Sequence, residues 1–332
     1  MKQTILSKSA PILAALSLAG LAACDNKTAQ APAASAAVPA SGASVAASAP
    51  AAARAADTLE KIKTSGVVNL GVRDSSGLGF SIGGGKYVGF HTEMAERIID
   101  DLKKDLNAPD LKTNYQVITS QNRIPLLQNG TIDFECGSTT NNATRQKDVD
   151  FAVTTYVEEV RIAVRADSKI ESVKDLSGKT IATTTGTTSV QHLRKHERAQ
   201  GLEFKEIMGK DHAESFLLLE TGKADAFVMD GSILAANIAR SRDPKNFKIV
   251  GEVLSVEPIA CMLPKGDTKF KDAIDNSIKR QITDGSLEKL YDKWFMQPIP
   301  PNNTVLNLPL SASTKDAWAN PNSKPMEEYA QQ

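Results

Sequence analysis

Two stretches of this 332-residue chain carry one pattern, set 92 positions apart (215 against 123). RIPLLQNGTIDFECGS (123–138) and SFLLLETGKADAFVMDGS (215–232) each read as an apolar helical turn, a glycine stop, an aspartate and a β-prone run. Gly130 stands over Gly222 and Asp133 over Asp225. A helix that stops on glycine and feeds a short apolar strand is the repeating unit of an α/β layer. Finding it twice predicts two lobes built alike. The same offset sets Ser138 opposite Asp230 and Ser120 opposite His212, so equivalent strand ends and loops bear polar groups in both lobes. Ligands of open α/β sheets bind beyond the carboxyl ends of strands, and two such edges facing each other make a cleft.

The remaining elements fit around that pair. Leu59 and Ile62 start a helix that stops at Gly66, and Val67–Val72 is a strand ending at Arg73. The stretch GLGFSIGGGKYVGF lacks a G-x-G-x-x-G register with a helix behind it, which argues against a dinucleotide site and for a hairpin turn. Met94, Ile98, Ile99, Leu102 and Leu106 recur at helical spacing, and Tyr115–Thr119 follows as a strand. VTTYVEEVRIAVR is a long β-prone crossover; then come a strand at 179–184, a helix opening after Gly186, a strand at 204–209, a helix at 215–221 and a strand at 226–229. EPIACMLP returns to the first lobe, and Leu287–Phe295 closes it as an amphipathic helix with Leu287, Leu290 and Trp294 inward. The expected division is residues 57–153 with 257–302 for lobe one and 154–256 for lobe two. A two-strand hinge falls near 152–157 and 255–260, and 303–332 form a C-terminal extension.

The first 23 residues pair Lys2 and Lys8 with an apolar run from Ile12 to Leu21, an export signal too short to span a bilayer. Leu21-Ala22-Ala23-Cys24 resembles a lipobox, which would make Cys24 a lipidated N-terminus; an ordinary secretory signal cleaved at or before Ala56 is the alternative. Asp25 resembles the acidic residue that marks inner-membrane retention. Residues 24–56 are almost all Ala, Ser, Pro, Gly and Val and bury no face, so they read as a tether. Export leaves Cys136 and Cys261 as a pair in an oxidising compartment, either as a disulfide or as two buried thiols. Lys+Arg and Asp+Glu balance at 39 each, which excludes a broad basic surface for nucleic acid, so any charged site is local.

Ser120–Arg145 concentrates that local chemistry, with an arginine near each end and small polar side chains beside it. Arg73, Arg123, Arg145 and His212 are cations or near-cations on the expected common edge, and arginine's planar fork grips a carboxylate through two hydrogen bonds. Ser138, Thr139 and Thr140 close one strand, and Gly186-Thr187-Thr188-Ser189 close another. Hydroxyls and free amides there favour an anion, with plain N-capping as the alternative. Asp230 suits an ammonium, or serves as a turn aspartate. Other signals fail on context. Gly178-Lys179-Thr180 precedes a strand and lacks the first P-loop glycine. His192 and His196 lack the glutamate of a metalloprotease helix and read as a solvated face, and no nucleophile elbow or zinc spacing occurs. No metal, cofactor or catalytic group is expected.

From Thr58 to Pro301 the chain resembles the periplasmic solute-binding proteins of ABC importers for polar amino acids. The resemblance is carried by ITSQNRIPLLQNGTIDFECGSTTNNATRQK, TTTGTTS, KDHAESF and DKWFMQPIPP. It implies a two-lobed type II α/β fold, each lobe a mainly parallel sheet flanked by helices. It implies L-glutamate or L-aspartate as ligand and a membrane permease as partner, with the importer's ATPase on other chains. Position by position, Arg145 would hold the ligand's α-carboxylate, helped by Ser138, Thr140 and Thr188, and Asp230 the α-ammonium. Arg73, Ser120, Arg123 and His212 match the side-chain carboxylate positions. The glycine-rich loop 77–87 departs from the pattern beside Arg73. Three guanidiniums against one aspartate favour an acidic ligand, since glutamine would leave a buried guanidinium unpaired at a cost of roughly 3–5 kcal/mol. The expectation is a monomeric periplasmic protein, held at the membrane by lipid. An enzyme on the same fold, a dehydratase or murein lyase using His212 or Asp230, and a sensory receptor module are the alternatives.

Overall fold

The computed structural model describes residues 57–329. The signal segment 1–23, Cys24, the 24–56 tether and residues 330–332 lie outside the described residues. Two five-stranded sheets form the two lobes. The first runs β4 (Lys112–Val117), β1 (Val67–Val72), β5 (Phe134–Glu135), β12 (Met262–Pro264), β6 (Val149–Phe151). The second runs β11 (Phe247–Ile259), β7 (Tyr156–Arg165), β10 (Ala226–Asp230), β8 (Thr180–Thr184), β9 (Lys205–Gly209). Each has a parallel three-strand part, β4-β1-β5 and β10-β8-β9, continued by antiparallel strands. β2 (Phe80–Gly83) and β3 (Lys86–Val88) make a separate hairpin across Gly84 and Gly85.

The repeat shows how sequence sets local structure. α3 (Arg123–Gln128) and α5 (His212–Glu220) are followed by Gly130 and Gly222 at φ 75° and 72°, left-handed conformations that favour glycine. Two residues beyond them, Ile132 N donates to Leu126 O, and Ala224 N to Leu218 O. Asp133 then pairs with Asn69 at both ends: its N donates to Asn69 O (2.8 Å) and its Oδ2 accepts from Asn69 N (2.7 Å). Asp225 does the same with Thr180, at 2.7 and 2.8 Å. In both lobes the aspartate before the later strand thus satisfies a backbone amide of the neighbouring parallel strand in one geometry.

Helices α1 (Thr58–Ser65), α2 (Phe90–Asp105), α7 (Thr268–Thr283) and α8 (Ser286–Phe295) flank the first sheet. Phe90, Met94, Ile98 and Leu102 of α2 meet Phe270, Ile274 and Ile278 of α7 and Leu287, Leu290, Tyr291 and Phe295 of α8 in one core. Each such side chain contributes about 1.5–3 kcal/mol of burial. α4 (Thr188–Gln200), α5 and α6 (Gly231–Arg240) cover the second sheet. One start differs from expectation. α5 begins at His212 because the Asp211 carboxylate caps it by accepting from Glu214 N (2.9 Å), so His212 lies in the helix and not in the loop before it. Arg145 opens a single 3-10 turn, Arg145–Lys147.

Cys136 and Cys261 form a disulfide between the chain just after β5 and the chain just before β12. Residues beyond 303 include α9 (Ala312–Ala319), which lies against β7, and α10 (Met326–Tyr329), which lies against β11. Trp318 Nε1 donates to Thr155 O (2.9 Å), Val157 N to Thr314 Oγ1 (3.0 Å), and Thr154 N to Asn322 O (2.9 Å). The extension is therefore a strap that satisfies backbone groups where β7 leaves the first lobe. No helix among the described residues is long and apolar enough to cross a membrane.

Candidate functional site

The nine expected ligand residues stand at the carboxyl ends of strands or on the segments that follow them. Arg73 follows β1, Ser120 and Arg123 lie between β4 and α3, and Ser138 and Thr140 follow β5. Thr188 opens α4 after β8, His212 opens α5 after β9, and Asp230 ends β10. The structure brings them together across the two lobes. Arg73 Nη2 donates to Ser120 Oγ (3.0 Å) and to His212 Nε2 (2.7 Å) of the other lobe. Arg145 Nη1 donates to Thr140 O (2.8 Å) and Nη2 reaches Gly186 O (3.4 Å). Thr140 Oγ1 and Thr188 Oγ1 lie 3.3 Å apart. Arg123 Nη1 donates to Ser138 O at 3.3 Å.

Two glycines explain how closely the lobes approach. A Cβ at Gly77 would run into the Ser232 carbonyl and lie 2.7 Å from Ile233 N at the start of α6. A Cβ at Gly186 would lie 2.8 Å from Gln121 Cα and N. Each lobe thus admits the other's backbone where a side chain would block it. Arg73, Ser120, Arg123, Ser138, Thr140, Thr188, His212 and Asp230 are all buried, and Arg145 is half-buried. Anything held among them can enter only when the lobes part.

The electrostatics revise the expected roles. His212 is not a cation: burial and the nearby Arg73 and Arg123 guanidiniums hold it well below its ordinary range. Its neutral tautomer follows from its partners. Nε2 accepts from Arg73, which can only donate, so Nδ1 carries the proton, 3.1 Å from Thr184 Oγ1. Thr184 Oγ1 lies 2.8 Å from Ser215 Oγ, so a hydroxyl chain fixes the ring. Burial and the neighbouring Arg123 bring Arg73 down to about 10 and Arg145 to about 9, and both remain cationic at neutral pH.

Three buried carboxylates join the group that sequence reasoning missed. Glu135 of β5 accepts from Thr139 Oγ1 and lies in the field of Arg73 and Arg123. Glu158 of β7 accepts from Ser232 N (2.9 Å) and Ser232 Oγ, and burial pushes it up to about 7. Glu257 of β11 accepts from Thr140 Oγ1, from Thr188 Oγ1 (2.7 Å) and from Ser255 Oγ (2.9 Å). His192 Nε2 lies 3.0 Å from the other Glu257 oxygen, so the solvated face expected for His192 is instead a contact with the second crossover strand. Burial, then Glu158 and Glu257, hold the Asp230 carboxyl well above the usual carboxylate range. The expected excess of two positive charges therefore does not describe the closed cleft. The sequence marks them weakly: Glu135 follows an apolar residue in a two-residue strand, while β7 and β11 carry other charged residues beside Glu158 and Glu257.

The donors still outnumber their partners at one end. Arg73 Nη1, Arg123 Nε and Ser138 Oγ are buried without a hydrogen-bond partner among the described residues, against one unpartnered acceptor beside them, Glu135 Oε2. Buried guanidinium N–H groups suit an anionic acceptor. No group of three or more His, Cys, Asp or Glu among the described residues is placed to hold a metal.

The sequence profile of the bacterial extracellular solute-binding proteins, family 3, matches residues 68–297. An L-glutamate/L-aspartate-binding protein of Pseudomonas aeruginosa is 42% identical over 274 residues, 82% of this chain and 90% of the relative. A glutamate/aspartate import solute-binding protein of Escherichia coli is 44% identical over 272 residues, 81% and 90% of the two. Among solved structures, an ancestral arginine-binding protein bound to glutamine aligns with a TM-score of 0.62 at 29% identity, over 69% of this chain and 98% of that one. An ancestral amino acid-binding protein that is a precursor of cyclohexadienyl dehydratase aligns with a TM-score of 0.62 at 27% identity, over 72% of this chain and 99% of that one. With two α/β lobes and a buried polar seam between them, the chain belongs to the bacterial extracellular solute-binding proteins of family 3.

Proposed function

We propose that this protein captures L-glutamate or L-aspartate outside the cytoplasm and presents it, lobes closed, to an ABC importer's permease. The observation that carries the reading is the pair of buried guanidiniums with unpartnered donors, Arg73 Nη1 and Arg123 Nε, on the same seam as Asp230. A ligand with a carboxylate at each end and one ammonium supplies a partner for each. Arg73, Ser120 and Arg123 take the side-chain carboxylate, with His212 holding the Arg73 fork. Arg145 takes the α-carboxylate and Asp230 the α-ammonium. The names of the relatives support the ligand class and the import role. The ligand bridges 57–153 plus 257–302 and 154–256, so it favours the closed form by its differential affinity, which is what a permease would read. Cys24 lipidation would hold this monomeric body at the periplasmic face of the inner membrane. A catalytic role is not part of the proposal, because both His212 nitrogens already have partners. Titration calorimetry tests it: L-glutamate or L-aspartate should bind at least about a hundredfold tighter than L-glutamine, and equal affinities would sink the assignment.

A further inference from the structure

Glu257 lies on β11, the second strand joining the lobes, is fully buried and belongs to neither of the expected ligand sets. One of its oxygens, Oε2, accepts from Thr140 Oγ1 of the first lobe and from Thr188 Oγ1 (2.7 Å) of the second. The other faces Ser255 Oγ at 2.9 Å and His192 Nε2 at 3.0 Å. A hydroxyl has one proton, and a carboxylate can only accept. With both threonine protons drawn to Oε2, Thr140 and Thr188 have only lone pairs left for a third group. Lone pairs suit an N–H donor and repel a carboxylate.

We infer that Glu257 is a positioning residue that turns the Thr140 and Thr188 hydroxyls into acceptors for the ligand's α-ammonium and links that recognition to lobe closure. The inference rests on the amino-acid reading above and changes one part of it: the two hydroxyls work with Asp230 instead of helping Arg145 hold the α-carboxylate. His192 and Ser255 keep the carboxylate ionised and oriented from behind. Burial alone would raise Glu257, but hydrogen bonds from His192, Thr140 and Thr188 outweigh it and hold it below its ordinary range. Because one threonine comes from each lobe, the shared oxygen is correctly surrounded only when the lobes are closed.

A double-mutant cycle on ligand affinity tests this, using the full-length protein with Glu257→Gln and the near-isosteric Thr188→Val. Each single change should weaken L-glutamate by about tenfold to a hundredfold, and the double variant should be little worse than either single one. Glutarate, which lacks the amine, provides the second readout: Glu257→Gln should lower the ratio of L-glutamate to glutarate affinity by about tenfold. Glu257→Asp, which keeps the charge, should recover part of the loss. Additive losses with an unchanged glutarate ratio would overturn the inference and leave the functional reading standing. Wild-type protein that binds no acidic amino acid would remove both.

Discussion

The two ends of the cleft are built on different electrostatic plans. Around Arg73 and Arg123 the direct contacts are neutral acceptors, a serine hydroxyl, a backbone carbonyl and a neutral imidazole, with Glu135 set behind them. Around Arg145 one guanidinium shares its surroundings with Asp230 and Glu257, and Glu158 lies within reach of Asp230. The first end holds surplus donors and so decides which side chain is accepted. The second is near balance and answers to the ammonium and carboxylate that all α-amino acids share. Selectivity and capture are thereby separated in space, on either side of one seam.

That division can be broken. Arg145→Met should weaken L-glutamate, L-aspartate and L-glutamine alike, by about two to four decades, since each loses the partner of its α-carboxylate. Arg123→Met should instead cost the acids about two to three decades and L-glutamine far less, which calorimetry on the same ligands reads directly. If both variants scaled every ligand equally, the two ends would not differ in role. Gly77→Ala probes the seam itself. A methyl aimed at the Ser232 carbonyl opposes closure and touches no expected ligand residue, so all ligands should weaken together by about tenfold to a hundredfold with their order unchanged. A reordering would place Gly77 in recognition instead.

The smallest effect is a proton count. In the closed cleft, burial and then the neighbouring Glu158 and Glu257 hold the Asp230 carboxyl well above its ordinary range, and pairing with an ammonium favours its ionised form. Closing on the ammonium should therefore release up to about one proton, and affinity should rise with pH while Asp230 is protonated without ligand. Calorimetry in buffers of different ionisation enthalpy measures the release. An uptake of protons, or none, would show that Asp230 is already ionised before the ligand arrives.

The skeleton of this site was legible because its signals are local. Gly130 and Gly222, Asp133 and Asp225, and the polar residue at each strand end follow from neighbours in sequence, and the offset between the repeats alone sets the two jaws opposite each other. What remained hidden depends on distance. Glu257 meets Thr140 across 117 positions and Glu158 meets Ser232 across 74, and in each case the glutamate sits in a strand that reads only as a connector. His212 reads as a cation until its desolvation and its contact with Arg73 are known. Helices α6 and α7 are not among the expected elements, although α7 repeats Phe270, Ile274 and Ile278 at helical spacing behind the Asp267 cap. The strap beyond residue 303 is anchored by single contacts such as Trp318 to Thr155, which no local pattern announces.

The disulfide has a topological consequence. The second lobe is an insertion into the first, and Cys136 and Cys261, 125 positions apart, lie on the chain segments that enclose it. Once they are joined, that insertion is a closed loop with a covalently fixed base. A protease cut anywhere within it leaves the two halves of the interrupted lobe tethered, so the nicked molecule falls apart only after reduction. The moving jaw can thus open, close or even be severed while the stationary one keeps its frame.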